Sequence, residues 1–373
     1  MARFLYVGRF ELPDKEATAN RVVANAKLLR ELGHEVILAG WSEDVGVFDG
    51  WKSIECYGFE SYQKHKAKSS FEKYKMFVDA SPELELMKSI HPDVLVAYDF
   101  PAVALDKLMK FCRKNGIKCI CDVSEWYTNA NKNPLFRLVR AYDSYKRMKV
   151  LHKRADGLIV ISKYLQEYYC EQNTVLIPPL IDIEDPKWEV VPREESDTCK
   201  FVYVGWPSRT KERLDLVVAA VSSLAESNDV SLDIYGITEK QYREIYKIQS
   251  DAKISECVGF HGRVPHLEAI SAVKNADYSL VIREACLKNN AGFPSKLVEC
   301  IGCGTAVITT PISNVSDYVG DGKNGFVITI DKLLCGLERA ISRKTSLEID
   351  KETFDYRNFS NSLEKFLKGL NIT

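Results

Sequence analysis

The chain has 373 residues, 46% hydrophobic and 28% charged, with 51 Lys and Arg against 52 Asp and Glu. That composition excludes a collagenous, disordered or coiled-coil protein, and the near-zero net charge argues against general nucleic-acid binding. No apolar run reaches the ~20 residues of a bilayer span. Residues 1–8 read as a first buried strand rather than an export signal, and 11 scattered cysteines then point to free thiols in a reducing cytoplasm.

Short apolar runs alternate with helical patterns through the first half. A strand at 4–8 precedes a helix at 17–32, in which Val22, Val23, Ala26, Leu29 and Leu32 keep helical spacing until Gly33 stops it. Further strands fall at 34–39, 92–97, 117–122, 156–161 and 175–177, with a helix at 102–115. Continuous apolar strands alternating with helices predict a parallel sheet covered on both faces. Four prolines and a run of acidic residues over 178–198 (Pro178, Pro179, Pro186, Pro192; Asp182, Glu184, Asp185, Glu194, Glu195) mark a linker. Strands then resume at 200–205, 232–236, 258–260, 278–282 and 306–310, and 359–370 is a last amphipathic helix. The expected division is a domain over 1–180, a linker over 181–198, a second domain over 199–355, and a terminal helix over 356–373 packing back on the first.

Charge is unevenly spread. Residues 101–154 hold 13 basic and 4 acidic residues. Leu135, Leu138, Tyr142, Tyr145 and Met148 recur there at helical spacing, with Arg137, Arg140, Lys146, Arg147, Lys149, Lys153 and Arg154 largely between them. Two readings fit: a basic helix over 135–154 lying on an anionic membrane surface, or a core-packed helix with a solvated basic face.

Two segments carry chemistry. The strand at 200–205 ends at Gly205, and Arg209 and Lys211 follow before a helix, which makes either an anion site or an ordinary turn with solvated cations. In Gly292-Phe293-Pro294-Ser295-Lys296-Leu297-Val298-Glu299, Pro294 suits a helix start, whose free N–H groups and dipole suit a phosphate. Lys296 adds charge there, and Glu299 could accept from sugar hydroxyls. Cys300 and Cys303 have metal-site spacing but no second pair, and read as small buried thiols.

This segment, with Gly304-Thr305-Ala306-Val307-Ile308-Thr309-Thr310 and Asp321-Gly322-Lys323-Asn324-Gly325-Phe326 after it, resembles glycosyltransferase family 4. Leu32-Gly33-His34-Glu35-Val36, the strand from Ala155 to Ser162, Ile177-Pro178-Pro179-Leu180-Ile181-Asp182 and Gly259-Phe260-His261-Gly262-Arg263-Val264 are similar to other parts of the family pattern. The resemblance implies an α/β protein of GT-B fold, two Rossmann-like doubly wound parallel-sheet domains facing a central cleft. It implies a retaining transferase, of bacterial polysaccharide or glycoconjugate type, moving sugar from a nucleotide diphosphate sugar, UDP favoured, to a glycan or lipid-linked acceptor. Carried onto these residues, Arg209 and Lys211 hold the diphosphate and Glu299 the ribose. Arg263 and Val264 flank the base, and Gly205, Gly292, Phe293, Pro294, Ser295 and Lys296 complete the donor site. No metal or cofactor is expected, the nucleotide sugar being a substrate, because cations and helix dipoles neutralise the leaving diphosphate.

The chain departs from the pattern twice. Ala291 stands where the family has a sugar-contacting Glu, leaving Arg283 and Glu284 as nearby polar groups, and Ser124 stands nearest the place of a donor-facing His. Asp122 or Glu125 is then the proton acceptor, or else a helix cap. Gly8, Arg9, Thr18 and Arg21, after the first strand, are expected to bind the acceptor. The departures keep two rivals open, a non-catalytic GT-B partner subunit and a nucleotide-sugar epimerase.

Overall fold

The computed structural model describes residues 1–13, 15–42, 50–65, 75, 78–126, 134–189, 196–209, 211–344 and 347–373, with backbone alone for 134–136. The chain forms two compact units, Met1–Leu180 with Tyr356–Thr373, and Ile181–Asp355.

The first unit runs β1 (Arg3–Gly8), α1 (Ala17–Glu31), β2 (Glu35–Ser42), β3 (Lys52–Cys56), β4 (Phe59–His65), α2 (Ser81–Ile90), β5 (Val94–Tyr98), α3 (Ala102–Asn115), β6 (Lys118–Val123), α4 (Pro134–Lys146), β7 (Gly157–Val160), α5 (Lys163–Tyr168) and β8 (Thr174–Leu176). Its sheet has the order β3-β4-β2-β1-β5-β6-β7-β8 and is parallel except for the β3–β4 pair. β1 lies central, with Phe4 opposite Val36 on one side and Val94 on the other. All five residues of β5 are buried, as a parallel strand covered on both faces requires. Gly116, at φ 70°, ends α3 in the left-handed cap position. The β3–β4 hairpin escapes sequence reading because its strands are half polar. It turns at Tyr57 and Gly58, both left-handed (φ 49° and 70°), as a two-residue hairpin turn requires.

The second unit runs β9 (Cys199–Val204), α6 (Leu214–Leu224), β10 (Val230–Tyr235), α7 (Glu239–Tyr246), β11 (Val258–Gly262), α8 (His266–Asn275), β12 (Tyr278–Val281), α9 (Leu287–Ala291), α10 (Ser295–Gly302), β13 (Ala306–Thr309), β14 (Gly325–Val327) and α11 (Leu333–Ile341). Its all-parallel sheet has the order β11-β10-β9-β12-β13-β14. The core beneath α6, α7 and α11 gathers Phe201, Leu232, Ile234, Tyr278, Ile308 and Phe326. The stretch expected as a linker is in part packed into this unit. Trp188 and Ile181 are buried, both within 3.4 Å of where a Cβ on Gly302 would stand. Pro192, Glu194 and Glu195 lie outside the described residues.

Residues from Tyr356 onward belong to the first unit, where α12 (Ser360–Gly369) buries Leu363, Phe366 and Leu367. The approach to β7 is close: a Cβ on Gly157 would stand 2.6 Å from Phe366 Cζ and 2.9 Å from Leu370 Cδ1. Gly157→Val should therefore lift α12 from the sheet and cost about 1–3 kcal/mol by overpacking. A thermal unfolding curve unchanged from wild type would contradict this packing.

Candidate active site

In doubly wound sheets ligands collect at the carboxyl ends of the strands. In the second unit that edge is organised by a carboxylate that sequence reading missed. Glu212, between β9 and α6, is 3% exposed. Its Oε1 accepts from Lys296 Nζ at 3.0 Å and from Arg283 Nη2 at 2.8 Å, and its Oε2 accepts from Lys296 at 3.1 Å and from the Tyr203 hydroxyl. Lys296 Nζ also donates to Tyr203 Oη at 2.8 Å. Burial by itself would push the Glu212 carboxyl up, but the charges of Lys296 and Arg283 and the hydrogen bonds to it outweigh burial and hold its pKa at about 2. Burial lowers the Lys296 pKa, and Glu212 offsets only part of that.

Glycines make room for this arrangement. Lys296 enters from the first turn of α10 and passes Gly205, whose φ is 120° and whose Cβ would stand 2.5 Å from Lys296 Cε. Gly236, after β10, has φ 107°, and a Cβ there would stand 2.5 Å from the Gly205 carbonyl oxygen. Both positions need glycine for conformation and for space. Gly292 has φ −88°, a conformation open to any residue. Asn289 ties the edge together by donating to the carbonyls of Glu284 (2.8 Å) and Lys211 (3.3 Å).

The expected donor residues divide by exposure. Arg209 and Arg263 are exposed, and Lys211, Val264, Ser295 and Glu299 are half-buried. Glu299 Oε1 lies 3.7 Å from Nε2 of His266, the first residue of α8 and two beyond Val264, so the loop after β11 and the Glu299 helix face meet. Phe293 is buried edge-on to Tyr318, with centroids 5.6 Å apart, and Pro294 caps α10. Arg283 is a correction: it is 5% exposed and turned onto Glu212, so it positions that carboxylate rather than reaching toward a sugar. Glu284 is paired with Arg213.

The first unit corrects two more expectations. Asp122, 2% exposed at the end of β6, accepts from Arg21 Nη2 at 2.7 Å and Nε at 3.0 Å, from Asn25 at 3.3 Å and from the Tyr6 hydroxyl. Arg21, equally buried, also donates to the carbonyls of Ile177 (2.8 Å) and Pro178 (3.2 Å). This pair ties α1 to β6 and to the chain leaving β8. Neither group is presented to a substrate, so Asp122 is not the proton acceptor and Arg21 is not an acceptor ligand. Glu125 is exposed, and Ser124 Oγ lies 3.1 Å from Tyr98 Oη. Gly8 passes so close to β5 that a Cβ would stand 2.1 Å from the Tyr98 carbonyl oxygen. The Arg9 guanidinium lies 5.1 Å from the Trp41 ring, and burial lowers its pKa. The Thr18 hydroxyl, in the first turn of α1, is buried with no partner among the described residues.

Two outcomes follow. The Glu212 pKa lies below the 4.5 of an unfolded Glu, so its contribution is present above pH 4.5 and is lost as pH falls toward 2. Glu212→Gln should flatten the acid dependence of unfolding free energy over that range by up to about 3 kcal/mol, and an unaltered slope in a pH series of urea titrations would refute the assignment. Asp122→Ala strands the buried Arg21 charge and should cost about 3–5 kcal/mol, read as a lowered urea midpoint.

Residues 185–345 match the family described as glycosyl transferases group 1. No curated protein matches the chain in sequence. Sucrose-phosphate synthase from Thermosynechococcus elongatus is similar over 100% of this chain and 99% of its own, at 13% identity and a TM-score of 0.68. The lipopolysaccharide outer core galactosyltransferase WaaB is similar over 97% and 99%, at 17% identity and a TM-score of 0.64. Anabaena HepE, solved with UDP and glucose, is similar over 99% and 100%, at 14% identity and a TM-score of 0.66. The protein therefore has the GT-B fold, and the residues that build the Glu212–Lys296 edge lie within the segment that matches the group 1 glycosyl transferase model.

Proposed function

We propose that the protein is a retaining, metal-independent hexosyltransferase. It moves sugar from a nucleotide diphosphate sugar, UDP favoured, to a hydroxyl of a glycan or lipid-linked acceptor in surface polysaccharide or glycoconjugate synthesis. The observation that carries this reading is the edge at Gly205 within the matched segment, where Lys296, in the first turn of α10, passes Gly205 and bonds Glu212, the residue after Lys211. UDP is favoured because HepE was solved with UDP and glucose. Breaking the bond from the anomeric carbon to phosphate leaves negative charge on the diphosphate, and Arg209 and Lys211 neutralise it together with the α10 dipole. Glu299 holds the ribose and the Arg263–Val264 backbone borders the base. The acceptor falls to the first unit, with Arg9 and Thr18 as its polar contacts. Glu125 is the carboxylate left to take the acceptor's proton, assisted by the departing phosphate. No disulfide joins the described cysteines, which supports a cytoplasmic setting.

A panel of UDP-, GDP- and dTDP-sugars in a thermal-shift assay, with mass analysis of products formed on candidate acceptors, tests the reading. A true donor at 100 times its Kd should stabilise the protein by about 2.7 kcal/mol. Lys211→Ala, which spares the Glu212 network, should weaken donor binding roughly ten- to a hundredfold. If no nucleotide sugar stabilises the protein, the reading fails. The rival reading as a non-catalytic subunit draws on Ala291, which is fully buried and offers a sugar no polar group. Its signature is tight nucleotide binding with neither transfer nor hydrolysis.

A further inference from the structure

Helix α4 is built the reverse of an ordinary surface helix. Its inward side carries charge. Asp143, 5% exposed, accepts from the Ala102 backbone N–H at 2.6 Å and from Arg147 Nη2 at 2.8 Å. Arg147, 2% exposed, donates to Asp99 at 2.7 Å, and Asp99 adopts a left-handed backbone, φ 49°. Arg147 also opens a π turn, Arg147–Leu151, that sends Met148 and Leu151 inward. The outward side is apolar. Leu138, Tyr142 and Tyr145 are 70%, 58% and 59% exposed. At spacings of four and three residues they form one stripe, which the exposed Lys149 continues. Met148, expected in this stripe, is buried, and Leu135 lies outside the described side chains.

A helix of a globular protein turns its apolar stripe toward the core. Here ion pairs anchor the opposite side, so packing among the described residues does not account for the stripe. Its surroundings are basic. Arg137, Lys149, Lys153 and Arg154 are exposed. Of the carboxylates on neighbouring segments, Asp106 is taken up by Lys110 and Lys146, and Asp156 pairs with Lys118. No helix among the described residues is long and apolar enough to cross a membrane.

We propose that this face docks on an anionic lipid bilayer, with Leu138, Tyr142 and Tyr145 entering the interface and Arg137, Lys149, Lys153 and Arg154 meeting the headgroups. Charge complementarity selects this occupant, since two copies of the same basic face would repel each other, and tyrosines flanked by cations suit a headgroup boundary. The core-packed reading of the basic block is thereby replaced for the stripe.

Sedimentation with phosphatidylcholine vesicles, with and without roughly a third phosphatidylglycerol, tests the proposal. No nucleotide sugar is added, so the result is independent of the transferase reading. Wild type should sediment with anionic vesicles only, and less as salt is raised. Combined Arg137→Gln, Lys149→Gln and Lys153→Gln should lower partitioning roughly a hundredfold. Combined Leu138→Ser, Tyr142→Ser and Tyr145→Ser should lower it at least about tenfold, with melting temperature unchanged because these side chains face solvent. Wild type that stays in the supernatant with anionic vesicles overturns the proposal whatever the variants do. So does a concentration-dependent dimer that the serine variant dissolves.

Discussion

Burying the Glu212 carboxylate is the constraint on which the carboxyl edge of the second unit depends. A carboxylate taken out of water costs several kcal/mol, recovered only when its countercharges and hydrogen bonds are well placed. Glu212 draws them from three places: Tyr203 on β9, Arg283 just beyond β12 and Lys296 on α10. One anion thereby fixes where three elements end relative to one another. The stem of Lys296 must reach it past the end of β9, which is why Gly205 can carry no Cβ. The role of such a knot is placement more than net stability, because an apolar replacement of equal shape could be as stable.

The first unit solves the same problem with the same chemistry. Asp122 lies at a strand end, takes a hydroxyl from a tyrosine of the central strand β1, and is neutralised by Arg21 from the helix that follows. Tyr6 and Tyr203 both come from the strand that opens their sheet's chain order. In each unit a carboxylate that looks catalytic in sequence, or escapes notice altogether, anchors the carboxyl edge of the sheet.

The fold was largely legible because parallel strands covered on both faces are continuous apolar runs and glycines end the helices between them. The β3–β4 hairpin was not, since a half-exposed edge pair has no such run. The site was legible where a motif lies on one short segment, as with Lys296 and Glu299 on α10. It was illegible where function depends on pairing across the chain: Glu212 meets Lys296 from 84 residues away, and Arg21 meets Asp122 from 101. Spacing on α4 grouped Leu138, Tyr142 and Tyr145 correctly, wrongly added Met148, which is buried, and carried no information about the direction of the stripe. That direction was decided by Asp143 and Arg147, whose partners Ala102 and Asp99 lie on other segments.

Saturation sorts the remaining residues. A buried group whose hydrogen bonds are all taken by protein cannot turn to a ligand without leaving its former partners charged in a dry environment, a larger loss than a single ligand contact returns. Asp122, Arg21 and Glu212 are in that position, so they act by holding their neighbours. The groups that keep one side in solvent are Arg209 and Lys211 after β9, Arg263 after β11, and Glu299 one turn into α10, and these are the ones the proposed donor site draws on. Lys296 belongs to both classes, bonded to Glu212 yet with 20% of its side chain exposed beside Gly205. Glu212 leaves that ammonium only partly neutralised, because the carboxylate is shared with Arg283, and the surplus positive charge lies at the amino end of α10, where a phosphate gains most from it.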